Sequence, residues 1–226
     1  MFAKVCYYLP LAKDEVNRAL GELRKNLTKK KFSQSIDLVV KLREVDLKKP
    51  ENRINETIPL PNPPEKGLKI CVIASGDLGT RAKTAGADML VSRQDIENLG
   101  KDKKAARKLA QDYDFFIAEA PLMPLVGRAL GSFLGPRGKM PTPVPPNAAI
   151  EQIVTNHRKM VRVRMREQPV LQCRVGIESM PDDKLAENIQ AVVSRIEQKL
   201  ERGFKNISQI LVKATMSKPV KIVMTK

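Results

Sequence analysis

Between Pro59 and Gly67 the chain reads Pro-Leu-Pro-Asn-Pro-Pro-Glu-Lys-Gly. Four prolines and a glycine in nine residues can continue neither a strand nor a helix, so this segment is a stiff linker. The hydrophobic pattern changes across it. Upstream, Ile36, Leu38, Val40 and Leu42 alternate with Asp37, Lys41 and Arg43, the period of a strand with one wet face, and predict a strand from Phe32 to Arg43. Downstream, Lys69-Ile-Cys-Val-Ile-Ala-Ser75 is a near-continuous apolar run, the pattern of a strand covered on both faces.

The downstream pattern repeats. A helix-compatible stretch follows, then an apolar segment Asp88 to Ser92, a helix Arg93 to Gln111, a strand Asp114 to Glu119 and a helix Met123 to Phe133. Strands alternating with helices imply βαβ units on a parallel sheet. Leu134 to Asn147 is rich in glycine and proline and reads as a loop, with Asn147 placed to cap a helix running to about Asn156. His157 reads as a linker residue.

Beyond it the alternation returns, first over Met160 to Arg166 and then at Leu171, Cys173, Val175 and Ile177. Ser179-Met-Pro-Asp182 resembles a capping box opening a helix, whose apolar face is Leu185, Ile189, Val192, Val193, Ile196 and Leu200 and whose end is Gly203. The chain closes on a hairpin. One strand is Ile207 to Ala214, the other alternates Val220, Ile222 and Met224, and the turn is Thr215-Met216-Ser217-Lys218-Pro219. Near the start, Val16, Leu20, Leu23 and Leu27 make the stripe of a helix from Lys13 to Asn26, and Arg53 to Leu60 reads as a strand partner for Phe32 to Arg43.

Neither end has enough strands to bury its own helix. The simplest assembly is a discontinuous α+β domain, an antiparallel sheet with flanking helices, made from residues 1–66 and 157–226, with an α/β domain of residues 67–156 inserted. Charge follows the same division. The whole chain carries +16 and its pI is near 9.9, which points to a polyanionic partner. Residues 67–156 hold 12 Lys and Arg against 9 Asp and Glu, a net +3, whereas the two ends hold 29 against 16, a net +13. The polyanion-binding face therefore belongs to the split domain.

Several chemistries are disfavoured. No apolar run reaches the roughly 18–20 residues of a membrane span. Lys4 interrupts the mildly apolar start and no small-residue cleavage site follows, which reads as an overlong N-terminus ahead of the first helix rather than a signal peptide. The three cysteines, Cys6, Cys71 and Cys173, lack paired spacing and read as reduced thiols, and the single histidine leaves no partner for a metal site or a Ser-His-Asp triad. No cofactor is expected. Ser75-Gly-Asp-Leu-Gly-Thr80 follows a buried strand, but it lacks the third glycine of a dinucleotide fingerprint and the Gly-Lys-Ser/Thr of a P-loop. A strand-to-helix turn is the stronger reading. With 4% aromatic residues and no tryptophan, the chain cannot stack many unpaired bases. Folded RNA read through shape, ribose hydroxyls and phosphates fits better.

The loop Leu134-Gly-Pro-Arg-Gly-Lys-Met-Pro141 frees its backbone with two glycines and offers Arg137 and Lys139 as cations. This octapeptide resembles the signature of the large-subunit ribosomal protein L-one family. The resemblance runs on through Lys31-Phe-Ser-Gln-Ser35, Val175-Gly-Ile-Glu-Ser-Met-Pro181, Leu185-Ala-Glu-Asn-Ile189 and Thr215-Met216, in matching order, and the chain is similar to the compact archaeal form. The family implies the same split α+β domain with an inserted Rossmann-like, three-layer domain. It implies a non-enzymatic ribosomal protein, monomeric when free, working in the cytoplasm on the ribosome. It further implies binding to rRNA at the mobile stalk, help in releasing deacylated tRNA from the exit site, and repression of its own mRNA through a similar RNA fold. Carried to this chain, the RNA contacts would be Lys31, Phe32, Ser35, Thr215, Met216, Ser217 and Lys218, with Arg137 and Lys139 as a possible secondary contact. Ser35 retains the hydroxyl where the bacterial pattern has threonine. Ser217 departs from the family, which commonly has glycine after Thr-Met, directly followed by proline. Two other readings remain open. One is a nucleotide-using enzyme built on the inserted domain, and the other a general DNA-binding basic protein.

Overall fold

A computed structural model describes residues 11–28, 30–46, 54–64, 68–165 and 167–223. The expectations for Met1 to Pro10 with Cys6, for Arg53, for Glu65 to Gly67, for Arg166 and for Met224 lie outside them. The chain resolves into two compact units, Met1–Pro64 with Met160–Lys226, and Glu65–Lys159.

The first unit is built on a four-stranded sheet. Strands β1 (Ser35–Leu42), β8 (Val170–Ile177), β9 (Ile207–Ala214) and β10 (Val220–Ile222) lie in the order β10-β9-β1-β8, and each pair is antiparallel. A separate antiparallel pair joins β2 (Asn55–Pro59) to β7 (Met160–Arg164). Strand parity sorts the side chains. Ile36, Leu38, Val40 and Leu42 of β1 point into the core with Ile210 and Val212 of β9. They pack against Val16, Leu20 and Leu23 of α1 (Lys13–Lys25) and Leu185, Ile189, Val192, Val193 and Ile196 of α7 (Asp182–Lys199). Each such Leu or Ile contributes about 1.5–3 kcal/mol of transfer free energy before conformational entropy is charged against it.

Gly176 sits where a Cβ would lie 2.3 Å from Leu185 Cδ2 and 3.0 Å from Met180 Sδ, so the strand and helix meet here only because that side chain is absent. Next to it, Asn188 is fully buried. Its amide donates to Asn62 O at 2.6 Å and Val175 O at 2.8 Å, and its oxygen accepts from Asn62 N–H at 2.9 Å. The Val175–Pro181 and Leu185–Ile189 motifs thus serve packing.

The second unit has a parallel sheet in the order β4-β3-β5-β6, from β3 (Ile70–Ile73), β4 (Met89–Val91), β5 (Phe115–Glu119) and β6 (Thr142–Val144). All four residues of β3 are buried. Cys71 and Ile73 face a core shared with α3 (Arg93–Lys101), α4 (Lys103–Asp112) and α5 (Met123–Leu134). The remaining helices are α2 (Gly76–Thr84) and α6 (Ile150–Arg158). Cys71 and Cys173 are free and buried, and burial pushes both thiols up to about 12. Among the described residues no helix is long and apolar enough to cross a membrane.

Several expectations need correction. The single helix over Arg93 to Gln111 is two, because Asp102 is extended and its Oδ1 accepts the N–H groups of Lys104 (2.8 Å) and Ala105 (3.2 Å), capping a fresh start. His157 is not in a linker. It is buried in the last turn of α6, with Nδ1 donating to Ile153 O at 2.8 Å and the ring edge-on to Phe115. Asn147 caps nothing, since the Ala148 N–H closes a turn onto Pro145 O and α6 starts only at Ile150. Ser179 does not cap α7 either, and the Asp182 carboxylate is taken instead by Arg24 Nε at 2.6 Å. Helix α7 stops at Lys199, short of Gly203, and α1 stops before Leu27. The loop between α5 and α6 contains strand β6, with Pro143 in it. An edge strand pairs on one side only, which is where a residue without an N–H is tolerated.

Candidate nucleic-acid interface

The terminal turn is built from β9 and closed by its own serine. Ser217 Oγ accepts the Ala214 N–H at 2.9 Å, and Ser217 N–H donates to Ala214 O at 3.2 Å. Among the described non-glycine residues only Glu44 has a positive φ. The turn therefore needs no glycine, and Ser217 stands unstrained where the family pattern has one. Its hydroxyl is engaged in shaping the turn.

Thr215 ties that turn to the start of β1. Its Oγ1 accepts the Ser35 N–H at 3.2 Å, and its own N–H donates to Ser35 O at 3.1 Å. The Ser35 hydroxyl has no partner among the described residues, nor do the ammonium groups of Lys31 and Lys218.

The residue that sequence reasoning missed is Gln34, which is 1% exposed. Its Oε1 accepts the Met216 N–H at 3.1 Å, and its Nε2 donates to Thr28 O at 3.1 Å. Its backbone carbonyl takes the Glu178 N–H at 2.9 Å, while its own N–H reaches the Glu178 carboxylate at 3.4 Å. One buried amide thus joins the end of α1, the entrance to β1 and the terminal turn. Arg24 holds the neighbouring turn through Glu178 O (3.2 Å) and Met180 O (2.5 Å). A signal for Gln34 existed. The alternation that buries Ile36, Leu38 and Val40 also points position 34 inward, and a polar residue at core parity implies a hydrogen-bonding duty. The same bonds explain why the strand starts at Ser35 rather than Phe32.

Around this buried network the surface is apolar and basic. Four large hydrophobic side chains are exposed among the described residues, and two of them flank it, Phe32 at 51% and Met216 at 62%. On the outer face of the sheet, Asp37 pairs across the strands with Arg174 and Lys213. Burial raises the Asp37 pKa, partly offset by those two cations.

Seven predicted residues thus fall in two segments that the structure brings together. Arg137 and Lys139 belong to the other unit. Arg137 Nη1 donates to Arg107 O at 3.1 Å, and Lys139 Nζ donates to Ala110 O at 3.1 Å and Tyr113 O at 2.6 Å. Lys139 thus neutralises the carbonyl end of α4, where cations are favourable, while Arg137 binds a carbonyl in the middle of the same helix. In the Ser75–Thr80 turn, the Glu119 carboxylate accepts both Ser75 N–H (3.1 Å) and Ser75 Oγ–H (2.9 Å). A negative charge thus occupies the crevice where a nucleotide phosphate would approach.

Exposed apolar and basic groups gathered at this tip have the chemistry of a binding surface. Residues 23–218 match the Ribosomal protein L1p/L10e family. The chain belongs to that family. It is 51% identical over 195 residues to the large ribosomal subunit protein uL1 of Thermofilum pendens, covering 86% of each chain. It is 44% identical over 209 residues to uL1 of Methanothermobacter thermautotrophicus, covering 92% of this chain and 99% of that one. With uL1 of Hyperthermus butylicus the identity is 45% over 210 residues, or 93% and 96% of the two chains.

Proposed function

We propose that this protein binds large-subunit rRNA at the mobile stalk through the tip formed by Lys31, Phe32, Ser35, Thr215, Met216, Ser217 and Lys218. The observation that carries the reading is Gln34. It fixes to one another the two segments bearing the exposed Phe32 and Met216, so two apolar contacts are presented in a preset geometry and little ordering entropy is lost on binding. The free Ser35 hydroxyl suits a ribose 2′-hydroxyl, and Lys31 and Lys218 suit phosphates. In this reading the first unit is a discontinuous RNA-binding α+β domain and the second an inserted Rossmann-like domain. The protein works in the cytoplasm on the ribosome. It assists release of deacylated tRNA from the exit site and represses its own mRNA by gripping a similar RNA fold.

A gel shift tests this, with the rRNA stalk fragment, the leader of the protein's own mRNA and duplex DNA of equal length as competitors. The stalk fragment is expected to bind most tightly and the mRNA leader next. Lys31→Ala should weaken stalk binding and lower the salt slope by about one unit. Equal competition by DNA would reject the reading in favour of a general basic protein.

A further inference from the structure

We propose that α4 is a second RNA-binding surface, gripping the phosphate backbone of an RNA helix through Lys103, Lys104, Arg107 and Lys108. This rests on the reading of the chain as an RNA-binding protein but uses none of the tip residues.

The positive charge of the inserted region is not spread over it. Of its 12 Lys and Arg, five fall within Lys101–Lys108, and the remaining seven are outnumbered by eight Asp and Glu. The net charge of the region is therefore the charge of this one run. All five side chains are exposed, and none makes an ion pair or side-chain hydrogen bond with a described residue. Several other cations of this unit are partnered, Arg93 by Glu97, Arg158 by Asp88 and Arg81 by the Ala148 carbonyl. The single acid within the run, Asp102, is occupied capping α4.

The order of charge along α4 is the second observation. Helix dipoles favour acids in the first turn and cations in the last. Helices α1, α2, α3, α6 and α7 follow that order. Helix α4 reverses it, with Lys103 and Lys104 in the first turn, no acid there, and Asp112 at the end. Its carbonyl end is served from outside by Lys139. These lysines oppose the dipole of the helix they stand on, offset only by the single Asp102 cap, so helix stability does not account for them, and a broken local rule is expected at functional positions. An anion lying along the first two turns would relieve both the mutual repulsion of the cations and their conflict with the dipole.

The shape selects the anion. The buried face of α4 is Ala106, Leu109 and Ala110. Lys104 and Lys108, and Lys103 and Arg107, stand one turn apart on its exposed side. This is a convex basic ridge without an aromatic side chain, suited to phosphates and unable to stack bases.

The test compares the full chain with Lys103→Gln/Lys104→Gln/Lys108→Gln. The probes are a loop-free RNA duplex, deacylated tRNA and poly-glutamate, titrated over a range of KCl. The triple variant should bind duplex RNA or tRNA on the order of tenfold more weakly, with a salt slope lower by about two to three units. Its Tm should equal or exceed the parent's. Whichever RNA loses more affinity is identified as the partner. In the unmutated chain, bound RNA should shield these lysines from acetylation. Repeating the titration in a Lys31→Ala background keeps failure of the tip separate from failure of α4. Unchanged affinity and slope, or lysines acetylated as fast with RNA as without, would overturn the proposal. So would loss of poly-glutamate binding alone, which would indicate an acidic protein partner.

Discussion

Thr215 and Ser35 are 180 residues apart in sequence and exchange hydrogen bonds in both directions, Ser35 N–H to Thr215 Oγ1 at 3.2 Å and Thr215 N–H to Ser35 O at 3.1 Å. The threonine hydroxyl is thus part of the fold. A hydroxyl has two acceptor sites and one donor. With one acceptor site taken by Ser35, and the donor 3.4 Å from Ser35 O, it retains a single acceptor site for a ribose hydroxyl.

Thr215→Val should therefore act twice. It leaves the Ser35 N–H without its protein partner, at a cost of about 0.5–1.5 kcal/mol at this exposed position, and it removes an RNA contact worth about 1–3 kcal/mol. Thermal unfolding and stalk binding, measured on the same sample, separate the two. Thr215→Ser should restore both. If the valine variant loses stability but binds as tightly as the parent, the hydroxyl is structural only.

Gln34 yields a sharper contrast, because a side chain 1% exposed cannot itself touch RNA. Gln34→Leu fills similar space and strands the Met216 N–H and Thr28 carbonyl. The expected loss is about 1–3 kcal/mol of stability. Stalk affinity should fall as well, at temperatures where the variant is fully folded, because the Thr215–Lys218 turn loosens relative to Phe32. Unaltered affinity in the folded variant would mean that the two segments act independently.

Asp37 predicts a pH dependence. Burial holds its folded-state pKa above the ordinary 3.8, so the native state binds the proton more tightly than the unfolded chain does. Stability contributed by this group is lost as pH rises through the raised pKa and regained as pH falls. At neutral pH Asp37→Asn should be at least as stable as the parent. The gap should narrow as pH falls through the raised pKa and close below 3.8, where Asp37 is protonated in both states. Tm against pH for the pair checks this, and a gap that widened on acidification would show that the Lys213 and Arg174 attractions dominate.

What was legible in the sequence was what periodicity encodes. Alternation placed β1, β8 and β10, continuous apolar runs placed β3 and β5, and helical stripes placed α1 and α7. Boundaries failed where one side chain redirects the backbone. The Asp102 carboxylate splits a helix, the Arg24–Asp182 pair removes a cap, and the edge position of Pro143 hides a strand. At the tip, the resemblance supplied the residue types but not their duties. Ser217 and Thr215 carry bonds within the fold, and Gln34, passed over because it carries no charge or ring, joins the two halves. Arg137 and Lys139 read as cations offered by a glycine-containing surface loop. Only the three-dimensional position of α4 reveals the carbonyls they bond.

Phe32 and Met216 give the cleanest test of the tip, because both are more than half exposed and neither makes a side-chain hydrogen bond. Phe32→Ala/Met216→Ala removes apolar contact area while leaving the Gln34 network and the net charge intact. Binding of the rRNA stalk fragment, followed by fluorescence anisotropy at fixed salt, should weaken by at least about 1–3 kcal/mol, the usual worth of one base–aromatic contact, or roughly five- to hundredfold in Kd. Tm and salt slope should match the parent. An unchanged Kd in the fully folded double variant would contradict RNA recognition by this tip.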